Sequence, residues 1–239
     1  MVHRDQLWTD GAVFYYADGL FPPGTDSFLL GAFAAPHAED CVCDLGGGTG
    51  LLGVLLLARQ PNLRLHHVEL QSDAIALAER SFAENGWRAQ VTLHGGDLRD
   101  GANLPPAGSC DYVLSNPPYF AQGSGIPSAS ASLRTARSEE GCSIEALCAA
   151  AARILRWGGR FAVVWKPERT VDLLCAMRQS GIEPKRLQWV QHRAESAPSL
   201  LLVEGRRGGR SGLTVLPPLV LYDSAGKPTP ALNAAYFRL

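Results

Sequence analysis

The 239-residue chain carries 22 Lys+Arg against 23 Asp+Glu, a formal net charge of −1, with 46% hydrophobic and 19% charged residues. That balance excludes an intrinsically disordered chain, and the length supplies core enough for one large domain without disulfide staples. No apolar run approaches the ~20 residues of a membrane-spanning helix, the first ten residues lack a signal peptide's apolar core, and near-zero charge argues against a uniformly basic nucleic-acid binder.

In chain order, residues 40–45 (DCVCDL) form a short apolar strand that ends at a glycine cluster. Residues 49–59 (TGLLGVLLLAR) are Leu-rich and long enough for a helix. Residues 64–70 (RLHHVEL) read as a strand, and 72–85 as a helix that starts on Ser72 as N-cap and exits at Asn85-Gly86. Ala89–Leu93 and Asp111–Ser115 are further strands. Residues 143–155 form a helix capped by Ser143 and ended near Gly158-Gly159, with Arg160–Trp165 as the next strand. Alternating strands and helices require crossovers, hence an α/β fold with a mostly parallel sheet and helices on both faces. Residues 121–133, small, polar and Pro/Gly-containing, read as a mobile surface loop, and 205–212 (GRRGGRSG) as a basic loop without a regular element.

The six cysteines form no pair of CxxC knuckles, so no metal is expected; Cys41 and Cys43 face one side of a strand and read as buried thiols in a reducing cytoplasm. His66 and His67 lie within a strand, without ligand spacing, and read as structural.

DLGGGTG at 44–50 follows a strand and opens a helix, the setting of a nucleotide loop. Gly46, Gly48 and Gly50 fit GxGxG and not the dinucleotide GxGxxG, because Leu51 follows Gly50. Taken alone, the loop is also a plain strand-to-helix turn. Two acids strengthen the ligand reading. Glu69 ends the next strand about 20 residues on, where an acid accepts from both hydroxyls of a ribose. Asp97, in GGDL at 95–98, follows the third strand, where a carboxylate can accept from an adenine amino group. Asp44 heads the loop and can receive a cationic amino group.

Asn116-Pro117-Pro118-Tyr119 follows the strand DYVLS. Proline locks φ, so the Asn side chain and the Pro117 carbonyl can face one point. Both are acceptors. Aimed at the two donors of a planar NH2 group, they turn its delocalised lone pair outward, which is catalysis by positioning and electrostatics. Tyr119 offers a stacking face. The plain alternative is a Pro-Pro turn begun by Asn.

Asp44, Gly46–Gly50, Glu69 and Asp97 in that order resemble the cofactor signature of class I S-adenosylmethionine-dependent methyltransferases, and NPPY resembles the amino-methyltransferase signature. With GTDSFLLG at 24–31, TARSEE at 135–140, and the tail motifs EPKRLQWV, LVEGRRGG and LTVLPPLVLYD, the chain looks like the bacterial tRNA(Val) (adenine-N6)-methyltransferase family over most of residues 20–225. It looks like a branch of that family that is Gly-poor at the first loop position, and departs from it in carrying GGG at 46–48. The resemblance implies one Rossmann-like domain over 1–239 with a seven-stranded, mostly parallel sheet. It implies a segment 1–35 that closes over the cofactor, a core 36–239 and a mobile loop near 121–138. It further implies that Thr25, Asp26, Asp44, Gly46, Gly48, Gly50, Glu69, Asp97 and Leu98 hold S-adenosylmethionine, leaving S-adenosylhomocysteine as product. Asn116, Pro117, Pro118 and Tyr119 would hold the target base of a tRNA, which flips out of its stack. Thr25 or Asp26 is equally an ordinary helix N-cap.

Arg134 and Arg137 follow the loop; Arg137 can reach a phosphate or pair with Glu139 or Glu140. Arg206, Arg207 and Arg210 suit RNA backbone contact, or a solvated turn. Residues 1–152 hold 8 Lys+Arg against 17 Asp+Glu, a net −9, and residues 153–210 hold 12 against 5, a net +7. The neutral total therefore permits nucleic-acid binding of modest, salt-sensitive affinity. The competing expectations are a protein glutamine N5-methyltransferase, an rRNA guanine-N2 methyltransferase, a non-catalytic RNA scaffold and a dinucleotide oxidoreductase.

Overall fold

The computed structural model describes residues 1–117 and 143–237. An antiparallel hairpin, β1 (Val2–Gln6) and β2 (Val13–Ala17), comes first and is followed by helix α1 (Thr25–Phe33). The alternating core then runs β3 (Cys41–Leu45), α2 (Leu51–Arg59), β4 (Arg64–Glu69), α3 (Ser72–Glu84), β5 (Val91–Gly95) and β6 (Cys110–Ser115). It resumes with α4 (Ile144–Ile154), β7 (Leu155–Trp165), α5 (Thr170–Gln179), β8 (Ile182–Gln191) and β9 (Pro198–Arg207). Short strands β10 (Thr214–Val215) and β11 (Leu219–Val220) and helix α6 (Pro230–Ala235) complete the order.

The sheet order is β10-β8-β9-β7-β6-β3-β4-β5, with β11 also on β8. Strands β3 to β7 are parallel, and β9 runs antiparallel between β7 and β8. The seven expected strands are present, and two two-residue strands widen the sheet to nine. From β3 the chain winds outward to β4 and β5, then crosses back to β6 on the other side of β3. That reversal leaves a crevice beyond the carboxyl ends of β3 and β6, the usual ligand position in an open α/β sheet.

Both faces of the sheet are covered, which is why β3 is buried at all five residues. Leu52, Leu55 and Phe82 pack on one face, and Leu147, Cys148 and Met177 on the other. Cys41 and Cys43 join the second core and Val42 the first, as the period of two requires. Cys41, Cys43, Cys110 and Cys148 are buried free thiols.

Several boundaries differ from expectation for identifiable reasons. Helix α3 begins at Ser72 with Gln71 at the cap and no side-chain cap bond. Its exit is as read: Gly86 takes φ 77°, while the Asn85 amide bonds Val13 N, Val13 O and Ser81 O, so the exit also anchors the hairpin. Ser143 does cap α4, accepting from Ala146 N, but the helix stops at Ile154, and Gly158-Gly159 lie inside β7. There the pairing is irregular: β6 advances from Cys110 to Tyr112 while β7 advances from Leu155 to Arg160. Gly158 at φ 78° accommodates the extra residues. Strand β9 continues through Arg207, so 205–212 is not wholly a loop. Gly205 serves close packing in that strand, since a Cβ there would fall 2.5 Å from Met177 Cε.

Candidate active site

A single crevice takes in the glycine loop, the acids at the carboxyl ends of β3, β4 and β5, and the residues after β6. Asp44, Gly46, Gly48, Glu69, Asp97, Leu98, Asn116 and Pro117 all line it. Gly46 and Gly48 adopt φ 70° and 56°, left-handed conformations that bring loop backbone to the ligand side. Gly50 (φ 88°) does not line the crevice; a Cβ on it would lie 2.9 Å from Ala78 Cβ, so it lets α2 approach α3.

Beneath the loop lies a buried polar pair. The Asp44 carboxyl is 1% exposed, and burial, with Glu69 adding repulsion, pushes its pKa up to about 7. His67, wholly buried on β4, is pushed down to about 4 by the same desolvation. His67 Nε2 sits 3.1 Å from the Gly48 carbonyl, which can only accept, so Nε2 carries the proton. Its bare Nδ1 lies 4.0 Å from Asp44 Oδ2, and neither atom has a hydrogen-bond partner among the described residues. The imidazole fills the space under Gly47: a Cβ there would stand 2.4 Å from His67 Cε1 and Nδ1 and 2.8 Å from Asp44 Oδ2. The middle glycine of GGG is therefore imposed by His67, a link that strand periodicity alone does not reveal.

The other acids are held rigidly. Glu69 Oε2 accepts from Gly48 N and Oε1 from Gln71 N, each at 2.9 Å. An ionised carboxylate has about four acceptor positions, so two remain for vicinal hydroxyls. Asp97 is gripped by the Arg99 guanidinium, which holds its pKa below the usual carboxylate range.

Asn116 follows β6 at the mouth of the crevice. Ser115 Oγ donates to the Leu45 carbonyl at 2.7 Å and ties the end of β6 to that of β3. Asn116 Nδ2 donates to Ser27 Oγ at 2.9 Å, which assigns Oδ1 as the opposite, accepting end of the amide. Pro118, Tyr119, Arg134 and Arg137 lie outside the described residues.

The N-terminal segment reaches the crevice through Leu20–Pro23 and Ser27. Thr25 and Asp26 are not on its wall. Nor is either the cap of α1: Gly24 is, without a side-chain bond. Thr25 Oγ1 instead meets Tyr236 Oη at 2.8 Å, and Phe28 stacks on Tyr236 at 4.1 Å, so α6 braces α1. Ser27 escaped the sequence reading; its signal was helical spacing, since Ser27, Leu30 and Gly31 share the buried face of α1.

The arginines of β9 lie elsewhere. Trp165, at the crevice end of β7, pairs with Leu201, whereas Arg206 pairs with Arg160 toward the far end. Arg206 Nε donates to the Gly158 carbonyl at 3.1 Å, and Arg207 Nη1 donates to the Leu155 carbonyl. Arg210 follows β9 at the same end, its carbonyl accepting from Lys185 Nζ at 3.0 Å. Among the described residues no group of His, Cys, Asp and Glu is arranged to hold a metal, and no helix is long and apolar enough to cross a membrane.

The family model of the methyltransferase small domain matches residues 6–180. The chain is 32% identical over 181 residues to the tRNA1(Val) (adenine(37)-N6)-methyltransferase of Tolumonas auensis, covering 75% of this chain and 74% of that protein. It is 30% identical over 194 residues to the protein of the same name from Dickeya chrysanthemi, covering 81% and 76%. A solved structure described as a predicted O-methyltransferase, protein Atu636 from Agrobacterium tumefaciens, superposes with a TM-score of 0.73 at 20% identity over 89% of this chain and 96% of that one. The geranyl diphosphate C-methyltransferase of Streptomyces coelicolor, solved with S-adenosyl-L-homocysteine, superposes at 0.55 with 15% identity over 76% and 74%. These two likenesses speak to the Rossmann-like methyltransferase fold, and the sequence matches go further: the chain belongs to the methyltransferase small domain family, within the group of the tRNA1(Val) (adenine(37)-N6)-methyltransferases.

Proposed function

We propose that this protein transfers the methyl group of S-adenosylmethionine to the N6 amino group of the adenine beside the anticodon of a tRNA. One observation carries the reading. Asn116, its amide oriented by Ser27, faces the same crevice as buried Asp44, the glycine loop and Glu69.

The residues present fit the cofactor. It carries an ammonium, a sulfonium and no phosphate, and the crevice offers carboxylates where a phosphate binder would offer cations. Asp44 Oδ2, buried and without a hydrogen-bond partner among the described residues, suits the ammonium. Glu69 suits the ribose hydroxyls, and Asp97 with Leu98 the adenine edge. When bound, S-adenosylmethionine supplies an electrophilic methyl group.

The chain supplies position and field. Asn116 Oδ1 and the Pro117 carbonyl each accept one N–H of the target amino group. The nitrogen is drawn toward tetrahedral geometry, its lone pair leaves conjugation with the ring, and no strong base is required. The proton displaced by the methyl group passes to solvent. Tyr119 stacks on the flipped base, residues 1–35 close the crevice, and the whole chain works as one domain in the cytoplasm.

The test is methyl transfer from labelled S-adenosylmethionine to unmodified tRNA, read by nucleoside mass spectrometry. N6-methyladenosine is expected with the wild type and not with Asn116→Ala. Equal activity of the two proteins overturns the role of Asn116. RNase-insensitive labelling of protein would instead indicate a glutamine substrate.

A further inference from the structure

Trp157 is 76% exposed, at the end of β7 away from the crevice. Its indole packs on Gly208: a Cβ on that glycine would fall 2.2 Å from Trp157 Cζ2. Gly208 holds φ 65°, and its N–H donates to the Gly181 carbonyl at 2.9 Å, which fixes the floor beneath the ring. A shallow trough runs from Trp157 across Gly181, Gly208 and Gly209 to Arg178 and Arg207.

Cations surround it. The Arg206 guanidinium lies against Gly158, and Arg156 is adjacent in sequence, its side chain 57% exposed. Arg178 is 65% exposed, and Lys185 bonds the carbonyl of Arg210 on the turn after β9. The acids that face these cations are Asp111, paired with Arg156, and Glu183, paired with Arg178. Arg206, Arg207, Arg210 and Lys185 remain in excess.

A flat aromatic ring set on glycines and rimmed by arginines is what a nucleic acid uses. The ring stacks a base, the glycines let its sugar-phosphate come close, and the guanidiniums take the phosphates. The core of a protein–protein interface is depleted in charge, whereas the neighbours of this ring are glycine, serine and charged side chains. The reach is also suitable. Trp157 and crevice-lining Trp165 share β7, eight residues apart, hence at most roughly 26 Å. Across that interval the ring can meet an unpaired base beyond a stem whose loop enters the crevice.

We propose that Trp157, with Arg178, Arg206 and Arg207, forms a second RNA contact that stacks one unpaired base lying outside the stem-loop that carries the target. The proposal rests on the tRNA reading above.

The test compares full-length unmodified tRNA with an isolated anticodon stem-loop, using wild type, Trp157→Ala, Trp157→Phe and Arg178→Gln. Binding is measured without S-adenosylmethionine, so a protein that binds tRNA but transfers no methyl overturns the functional reading and not this one. Trp157→Ala should weaken binding of full-length tRNA, and raise its apparent KM, by about 5- to 150-fold, the loss of one base stack. kcat should hold, stem-loop binding should not change, and Trp157→Phe should recover most of the loss. Arg178→Gln should reduce the slope of log affinity against log salt by about one. Equal tRNA binding by wild type and Trp157→Ala overturns the proposal. So does an equal loss on tRNA and stem-loop, or a change of oligomeric state with RNA affinity intact, which would mark the face as a self-association surface.

Discussion

Gly47→Ala isolates the contact between the glycine loop and His67. The new methyl carbon would stand 2.4 Å from two ring atoms of His67 and 2.8 Å from Asp44 Oδ2, where ordinary contacts begin near 3.5 Å. More than an ångström must be found in a place where both neighbours are fully buried. Backbone strain adds nothing, because Gly47 is not among the glycines of positive φ. Overpacking of this kind costs about 1–3 kcal/mol. If the loop moves and takes the whole cost, affinity for S-adenosylhomocysteine falls about 5- to 150-fold. Calorimetric titration gives the affinity, and a thermal melt shows whether the cost falls on the fold instead. Gly47→Ala/His67→Ala supplies the control. Removing the ring opens the space the methyl needs, so the two changes should be strongly non-additive, with a coupling of about 0.5–3 kcal/mol. Unchanged affinity and melting temperature in Gly47→Ala, or simple additivity in the double variant, would refute the account.

The buried pair also sets a pH signature. Asp44, raised to about 7, keeps a proton in the folded state that the unfolded chain releases near ~3.9, so it lowers stability as pH rises between those values. His67, lowered to about 4, stays neutral where the unfolded chain protonates, so it adds stability as pH rises from about 4 to ~6.5. The two oppose each other, and Asp44→Asn should unmask a rise in denaturation midpoint over that range; a curve parallel to wild type would sink the assignment. Affinity for S-adenosylhomocysteine should climb through pH 7 as Asp44 ionises to meet the ammonium, and Asp44→Asn should flatten that climb in calorimetry. Asn116→Ala should lower kcat by about 10²–10³, the range seen when one positioned catalytic dipole is removed, with cofactor affinity unchanged. Tyr236→Phe removes the Thr25 hydrogen bond and keeps the Phe28 stack, so a melt should show a loss of about 0.5–1.5 kcal/mol.

Much of the site was readable because its parts sit at strand ends. Asp44 and Glu69 lie in the last residues of β3 and β4, Asp97 and Asn116 just past β5 and β6, and a parallel sheet gathers such positions on one edge whatever the detail of packing. Helix starts were less readable. Ser72 and Thr25 looked like caps, yet the structure starts both helices on them, with Gln71 and Gly24 before them. Cap choice turns on a single φ/ψ that distant packing sets, as when Tyr236 claims the Thr25 hydroxyl. Glycines misled in the same way. GRRGGRSG reads as punctuation, but Gly205 sits mid-strand because α5 presses on it, and Gly158-Gly159 lie within β7 rather than ending a helix.

Composition, period and motif order determined by themselves the α/β class, the edge of the sheet that carries the crevice, and the acids and amide that line it. These are properties of residue type and spacing, which local geometry carries into any packing. Only the tertiary structure decided the partners: Ser27 for Asn116, His67 for Gly47 and Asp44, Tyr236 for Thr25, and Gly208 for Trp157. Each of these joins segments remote along the chain or held on separate strands. Such a contact depends on how helices and strands come together, and nothing in the period or spacing of either segment specifies it.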